Sequence, residues 1–182
     1  MTVIILIAVI VILAIWIVSL YNSLVKLRNN RENAFADIDV QLKQRHDLIP
    51  QLVETVKGYA SHEKETLERV INARNGAISA KTIDDKIMAE NVLTSALAGL
   101  KITLEAYPDL KANSNFQELQ AQLEGTENRI AVARTAFNEK TQAYNVAVRR
   151  FPANLVAGIL SFGQKPYFEA DDSAAQAPEV AF

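Results

Sequence analysis

Apolar residues are concentrated at the start of the chain, where residues 1–25 contain no charged side chain and residues 3–20 are almost all Ile, Val, Leu and Ala. A helix that crosses the ~30 Å hydrocarbon core of a bilayer needs about 20 such residues. The run is longer than the apolar part of a signal peptide and lacks its basic start and small-residue cleavage site. The pattern therefore predicts an uncleaved transmembrane anchor over residues 1–22, with Trp16 and Tyr21 near the headgroups.

Basic residues follow this anchor, at Lys26, Arg28 and Arg31, and none precedes it. Loops rich in Lys and Arg tend to stay in the cytoplasm, so this asymmetry favours a cytoplasmic soluble domain. A chain that begins with its own anchor can also export its C-terminal part, and a periplasmic domain therefore stays open.

Beyond the anchor, apolar residues recur at steps of three, four and seven, which is the spacing of one helix face. We expect the first helix to reach Gly58 with a kink at Pro50, and the chain to turn before Ser61. A turn at residues 45–47, with Asp47 as N-cap, is the alternative. The apolar positions expected in the core of this helix are Leu24, Leu27, Ala34, Phe35, Ile38, Leu42, Ile49, Leu52, Val53 and Val56.

Three further helices are expected. The second runs from about residue 62 to residue 79, the third follows Asp84 and is ended by Pro108 and residues 111–113, and the fourth runs from Ser114 or Asn115 to about residue 150. Gly99 lies inside the third helix, where a glycine favours close packing against another helix at a cost of up to ~1 kcal/mol. The expected core positions are Leu67, Val70, Ile71, Ile87, Val92, Leu93, Leu97, Leu100, Leu104, Phe116, Leu119, Leu123, Ile130, Ala133, Phe137 and Tyr144.

This pattern predicts an all-α fold, an up-and-down four-helix bundle with long helices over residues 23–150. Four passes return the chain to the bilayer, so residues 151–168 are expected beside it. That segment is apolar, with Lys165 as its only charge. Insertion into the interface, docking against a neighbouring subunit and folding back over the bundle all remain open. Residues 169–182 are acidic and rich in small residues, and are predicted to be disordered.

The composition gives little sign of chemistry. A formal net charge of −2 leaves no basic footprint for nucleic acid, and the absence of cysteine excludes disulfides and thiolate sites. The sequence also lacks the common hydrolase, zinc-protease and phosphate-loop motifs. Neither His46 nor His62 follows a Glu by three residues, as ferritin-like metal sites require, and His62 is interpreted as solvated. We therefore predict no catalytic, cofactor-binding or metal-binding residue, and no enzymatic activity.

Seven polar residues lie near the apolar stripes and are the remaining candidates: Asn22, Asp39, Arg45, Asp47, Arg74, Arg134 and Asn145. We favour the interpretation that they form buried or half-buried pairs that set the register of the helices. The alternative is a binding pocket inside the bundle.

Several long runs resemble the LemA family of bacterial membrane proteins. They are Tyr21-Asn22, IDVQLKQRHDLIPQLVETVKGYA at residues 38–60, EAYPDLKANSNFQELQAQLEGTENRIAVAR at residues 105–134, Tyr144-Asn145, and FPANLVAG at residues 151–158. The resemblance covers residues 21–168 and leaves out the acidic tail. It implies an anchored helical bundle and brings no catalytic residues with it. The expected location of the chain is the bacterial inner membrane.

We hypothesise a single-pass structural or scaffold protein that contacts the lipid bilayer and associates with itself. The alternative hypothesis is a membrane-tethered adaptor that recruits or regulates another envelope protein, such as a protease or a transporter. Neither hypothesis involves a cofactor or nucleic acid.

Overall fold

A computed structural model describes residues 1–168, and within this range the chain forms helices and no strand. The helices are α1 (Thr2–Lys57), α2 (Lys64–Ser79), α3 (Ile83–Leu104), α4 (Pro108–Lys111), α5 (Ser114–Arg149) and α6 (Ala153–Ile159). The all-α prediction is confirmed. The predicted disordered tail, residues 169–182, lies outside the described residues.

The first helix, α1, is continuous through the apolar anchor and the first soluble stripe, with Pro50 inside it. The alternative turn at residues 45–47 is therefore wrong. The helix ends at Lys57, where the amides of Tyr59 and Ala60 both donate to the carbonyl of Val56. This end agrees with the predicted stop at Gly58.

Two predicted helix limits are wrong by a few residues. α2 begins at Lys64 rather than at residue 62, and α3 ends at Leu104 rather than at Pro108. Pro108 instead begins the one-turn helix α4, because proline fits the first position of a helix, where its missing N–H removes no hydrogen bond. The start of α3 follows a familiar rule: Thr82 caps it by accepting a hydrogen bond from the amide of Asp85 at 3.1 Å.

Contacts divide the chain into two compact units, which are described separately. The first unit comprises Met1–Phe35 and Thr135–Tyr167. Its large apolar side chains from Val3 to Val18 are all at least 44% exposed, as lipid-facing residues would be. Its core contains Leu24, Tyr144, Val148, Ala157 and Phe162, and further along Phe35 and Phe137 make an edge-to-face ring contact at 5.6 Å.

The second unit comprises Ala36–Arg134 together with Phe168. Its core buries apolar side chains from α1 to α5: Ile49, Leu52, Val53, Val56, Ala60, Leu67, Val70, Ala77, Leu93, Leu100, Leu104, Leu110, Phe116 and Leu123. α3 is long and apolar enough by composition to span a membrane, but it buries Leu93, Leu100 and the charged Glu90 within this unit. It is therefore a core helix of the second unit.

Most predicted core positions are buried or half-buried, and Val92 is the clear exception. Its side chain is 60% exposed on α3, whereas Leu93 beside it is fully buried. The helix carries apolar residues on both faces, so periodicity alone did not select the face that enters the core.

Candidate functional site

The second unit contains a buried charge cluster made by α1 and α3. Arg45 and His46 come from α1 and Glu90 comes from α3; Arg45 and Glu90 are each only 1% exposed. Glu90 lies three residues from both Ile87 and Leu93, which are buried, and residues at this spacing share a helix face. The sequence of α3 thus directs a carboxylate into the core.

The carboxylate of Glu90 binds both α1 side chains. Arg45 Nη2 donates to Glu90 Oε2 in a short, buried ion pair, and His46 Nε2 lies 2.6 Å from Glu90 Oε1. The other end of the guanidinium donates from Nη1 to Thr94 Oγ1 at 3.2 Å. Arg45 Nη1 also lies 4.0 Å from the half-exposed carboxylate of Glu127 on α5.

These partners decide the protonation of Glu90. Burial alone would raise the pKa of its carboxyl group, but the hydrogen bond from His46 and the positive charge of Arg45 outweigh burial. The pKa therefore lies below its ordinary value. Glu90 is ionised at neutral pH, and its charge compensates that of Arg45.

A backbone carbonyl next to this cluster is satisfied from another helix. Pro50 has no N–H, so the carbonyl of His46, four residues earlier in α1, loses its helical donor. Arg74 of α2 replaces it by donating from Nε to that carbonyl at 2.7 Å. α1 can therefore continue through Pro50 without leaving a carbonyl of the core unpaired.

The other predicted polar residues fall into three groups. Asp39 is half-buried and accepts a hydrogen bond from Lys86 Nζ at 2.5 Å. Arg134 is half-buried, with its guanidinium carbon 4.1 Å from the ring centroid of Phe168. Asn22 and Asp47 are exposed, against the expectation, because both point away from the apolar stripe of α1. His62 is exposed as well.

The chemistry of the charge cluster is that of a structural lock between α1 and α3. Within residues 1–168, no three His, Cys, Asp or Glu side chains come together in a way that could hold a metal ion. His46 and Glu90 provide two such groups, and Arg45 donates to the carboxylate oxygen of Glu90 that His46 does not contact. Sequence reasoning missed Glu90, although its position between Ile87 and Leu93 indicates an inward-facing carboxylate.

The first unit holds a second polar arrangement, which fixes residues 163–166 against α1 and α5. Asn145 makes two hydrogen bonds of 2.8 Å to the backbone of Lys165, one to its carbonyl and one from its amide. Tyr144 donates to the carbonyl of Gly163 at 3.0 Å, and Arg31 donates to the carbonyl of Pro166 at 3.2 Å. Burial raises the pKa of Tyr144, which keeps its hydroxyl a donor.

Arg31 is itself buried, at 3% exposure, and joins three parts of the first unit. Besides its bond to Pro166, it donates from Nε to Thr141 Oγ1 at 3.3 Å and stacks 4.8 Å from the centroid of the Phe137 ring. The position of Arg31 after the anchor indicated only the membrane orientation, and no sequence pattern indicated this buried role. Asn145, which was predicted to pair, does so with backbone atoms rather than with another side chain.

Comparisons with known proteins identify the relatives of this chain. The sequence model of the LemA family matches residues 34–182, a range that starts later than the resemblance described above and includes the acidic tail. Protein LemA of Metamycoplasma hominis is 24% identical over 83% of this chain and 69% of its own length. The magnetosome protein MamQ of Magnetospirillum gryphiswaldense is 23% identical over 88% of this chain and 70% of its own length. With the exposed apolar stretch of α1, these relatives indicate a membrane-anchored chain.

Proposed function

The chain belongs to the LemA family, and on that premise we propose that it is a non-catalytic, membrane-anchored scaffold that associates with itself. In this proposal the chain crosses the bacterial inner membrane once, its soluble helices run up and down as a bundle, and they lie in the cytoplasm. The observation that carries self-association is the outer face of α3.

This α3 outer face consists of Met88, Val92, Ser95, Gly99 and Ile102. Their spacing of four, three, four and three residues is that of one seam of a coiled coil. The three large residues are 62%, 60% and 74% exposed, in that order. Apolar side chains aligned on an uncovered helix face favour contact with another protein surface.

Gly99 gives this face its second feature. A Cβ atom added at Gly99 would meet nothing within 4 Å, so the fold of this chain does not require a glycine there. The expected close packing of Gly99 within the bundle is therefore absent. A glycine in the middle of a helix costs roughly 0.5–1 kcal/mol relative to alanine, and close approach of a helix from a second copy would account for it.

The charges of the first unit support the proposed orientation. Seven basic residues of this unit follow the anchor, against two acidic residues, Glu32 and Glu139. The basic residues are Lys26, Arg28, Arg31, Lys140, Arg149, Arg150 and Lys165. Such a basic surface next to a membrane span is typical of the cytoplasmic side. The structure adds four of these residues to the three that directly follow the anchor.

Self-association is tested with full-length protein in a mild nonionic detergent, with the protein mass measured by light scattering. Val92→Lys combined with Ile102→Lys should convert a discrete oligomer into monomers. Val40→Lys combined with Val132→Lys is the matched control, because these two side chains are 57% and 74% exposed elsewhere in the same unit. The control should leave the oligomer intact.

Two results would contradict the proposal: a wild-type chain that stays monomeric at high concentration, or equal loss of the oligomer in both double variants. A monomeric wild type would favour the second candidate, a membrane-tethered adaptor. The α3 outer face would then bind a different envelope protein, such as a protease or a transporter. Cross-linking in cells from a cysteine placed at Ser95 would distinguish the two, since a scaffold yields self-linked dimers.

A further inference from the structure

A second exposed apolar surface lies in the first unit, where α6 follows α5. We propose that this surface, the α6 face formed by Phe151, Leu155, Ile159 and Leu160, inserts into the lipid surface of the bilayer that holds the anchor. The partner is lipid, contacted at the boundary between headgroups and acyl chains. This inference does not depend on self-association.

The α6 face has the pattern of an interfacial helix. Leu155 and Ile159 lie four residues apart on α6 and are 58% and 82% exposed. Phe151, just before the helix, is 74% exposed, and Leu160, just after it, is 46% exposed. Val156 and Ala157, on the other side of α6, are buried in the first unit. One apolar side of α6 thus packs into the core of the first unit, and another apolar side remains exposed.

The position of α6 places this face at the end of the anchor. The Phe162 ring contacts the Tyr21 ring edge-to-face at 5.9 Å, and Tyr21 directly follows the apolar run that ends at Leu20. Leu24, one turn later, belongs to the same core cluster as Ala157. Tyrosine rings concentrate at the headgroup level, so α6 lies at the depth where the anchor leaves the membrane.

The orientation of α6 is fixed by the segment that follows it. After α6 the chain reverses at Ser161, whose φ of 57° is left-handed, and the amide of Phe162 donates to the carbonyl of Ala157 at 2.9 Å. Beyond the reversal, Tyr144 and Asn145 hold the backbone of Gly163 and Lys165. The α6 face therefore has a fixed orientation in the first unit, and its insertion into lipid requires no refolding.

The charges around the α6 face match an anionic lipid surface. Arg149 and Arg150 are exposed immediately before Phe151, and Lys26 is exposed just beyond the anchor. Arg28 lies 5.3 Å from the centroid of the Phe162 ring. Apolar residues flanked by basic ones are the composition of helices that lie in the plane of a membrane. A protein partner would not account for both the basic border and the continuity with the anchor.

The absence of cysteine from the chain permits a direct test on the full-length protein. Ile159→Cys is labelled with an environment-sensitive fluorophore, and the protein is reconstituted in phosphatidylcholine–phosphatidylglycerol vesicles that contain lipids with a nitroxide near the headgroup. Glu139→Cys is the control: this exposed position on α5 belongs to the same unit. It lies ten residues before the end of α5 at Arg149, or ~15 Å of helix.

We expect the nitroxide lipids to quench the label at residue 159 several-fold more than the label at residue 139. Circular dichroism that matches the wild type would show that both variants fold. Equal quenching at the two positions would overturn the proposal. So would a label at residue 159 that is shielded from water only at high protein density and is insensitive to nitroxide lipids, because that result would place a second copy on the α6 face.

Discussion

Replacing Glu90 by glutamine should destabilise the second unit strongly, because it leaves the charge of Arg45 buried without a counter-charge. Both side chains of this pair are almost completely removed from water, and His46 shares the same carboxylate. Removing one partner of a buried ion pair costs about 3–5 kcal/mol. We expect the free energy of unfolding to fall by an amount in this range.

Glu127→Gln is the matched control, because its carboxylate lies 4.0 Å from the same guanidinium but its side chain is 48% exposed. An ion pair in contact with solvent contributes at most about 1 kcal/mol. The same chemical change near the same arginine should therefore have a small effect. The difference between the two variants isolates the contribution of burial.

The measurement is guanidinium denaturation of the full-length protein in a nonionic detergent, followed by far-UV circular dichroism. The double variant Arg45→Met with Glu90→Leu should regain most of the loss, since apolar residues that replace a buried pair leave no charge unpaired. A Glu90→Gln variant within about 1 kcal/mol of the wild type, or no more destabilised than Glu127→Gln, would refute the interpretation of this cluster as a structural lock.

Four further outcomes are expected. Folding lowers the pKa of the Glu90 carboxyl group below its usual 4.5. The stability that this group contributes is therefore present above that value and is lost as the pH falls through the lower pKa of the folded state. In acid titrations followed by circular dichroism, the stabilities of wild type and Glu90→Gln should differ above the folded pKa and converge below it. Phe35→Asp should unfold the protein, because it places an unpaired charge at a position that is 4% exposed; a folded variant with an unchanged melting temperature would contradict the assigned core. Asn145→Ala should cost about 1–3 kcal/mol and speed proteolysis near Lys165, since two backbone groups lose their partner; cleavage at the wild-type rate would argue against the role of Asn145. Removal of residues 169–182 should leave the melting temperature unchanged, and a clear drop would show that the tail contributes to the fold.

The helical architecture could be predicted because its main signal is local. The apolar stripe of α1 identified Leu24, Phe35, Ile38 and Leu42 as core residues, and all four are buried. The same stripe favoured a helix that continues through Pro50, and the structure confirms it. Helix ends were less predictable: Pro108 was interpreted as a terminator, whereas it begins a new turn because proline is compatible with both roles.

The polar contacts could be predicted only in part, because they depend on residues distant in the chain. Arg45 was recognised from its place beside the apolar stripe, but Glu90 lies 45 residues away on a helix whose register against α1 no local pattern reveals. Arg74 was also recognised, yet its partner is a backbone carbonyl of α1. Nothing in the spacing of residues around Arg74 indicates that the proline in α1 creates the need for this donor.

Val92 was wrongly assigned to the core because a local pattern does not show which face of a helix contacts another helix. Its exposure also bears on the proposed self-association. α3 has apolar residues around most of its circumference, and the fold buries the face with Ile87 and Leu93 while exposing the face with Val92 and Ile102. A helix that served only its own core would be expected to carry polar residues on the exposed side. Periodicity could not distinguish the two faces because both are apolar. Only one of them packs against another element within the described part of the chain. That uncovered second face is the physical reason for assigning the proposed self-association to α3.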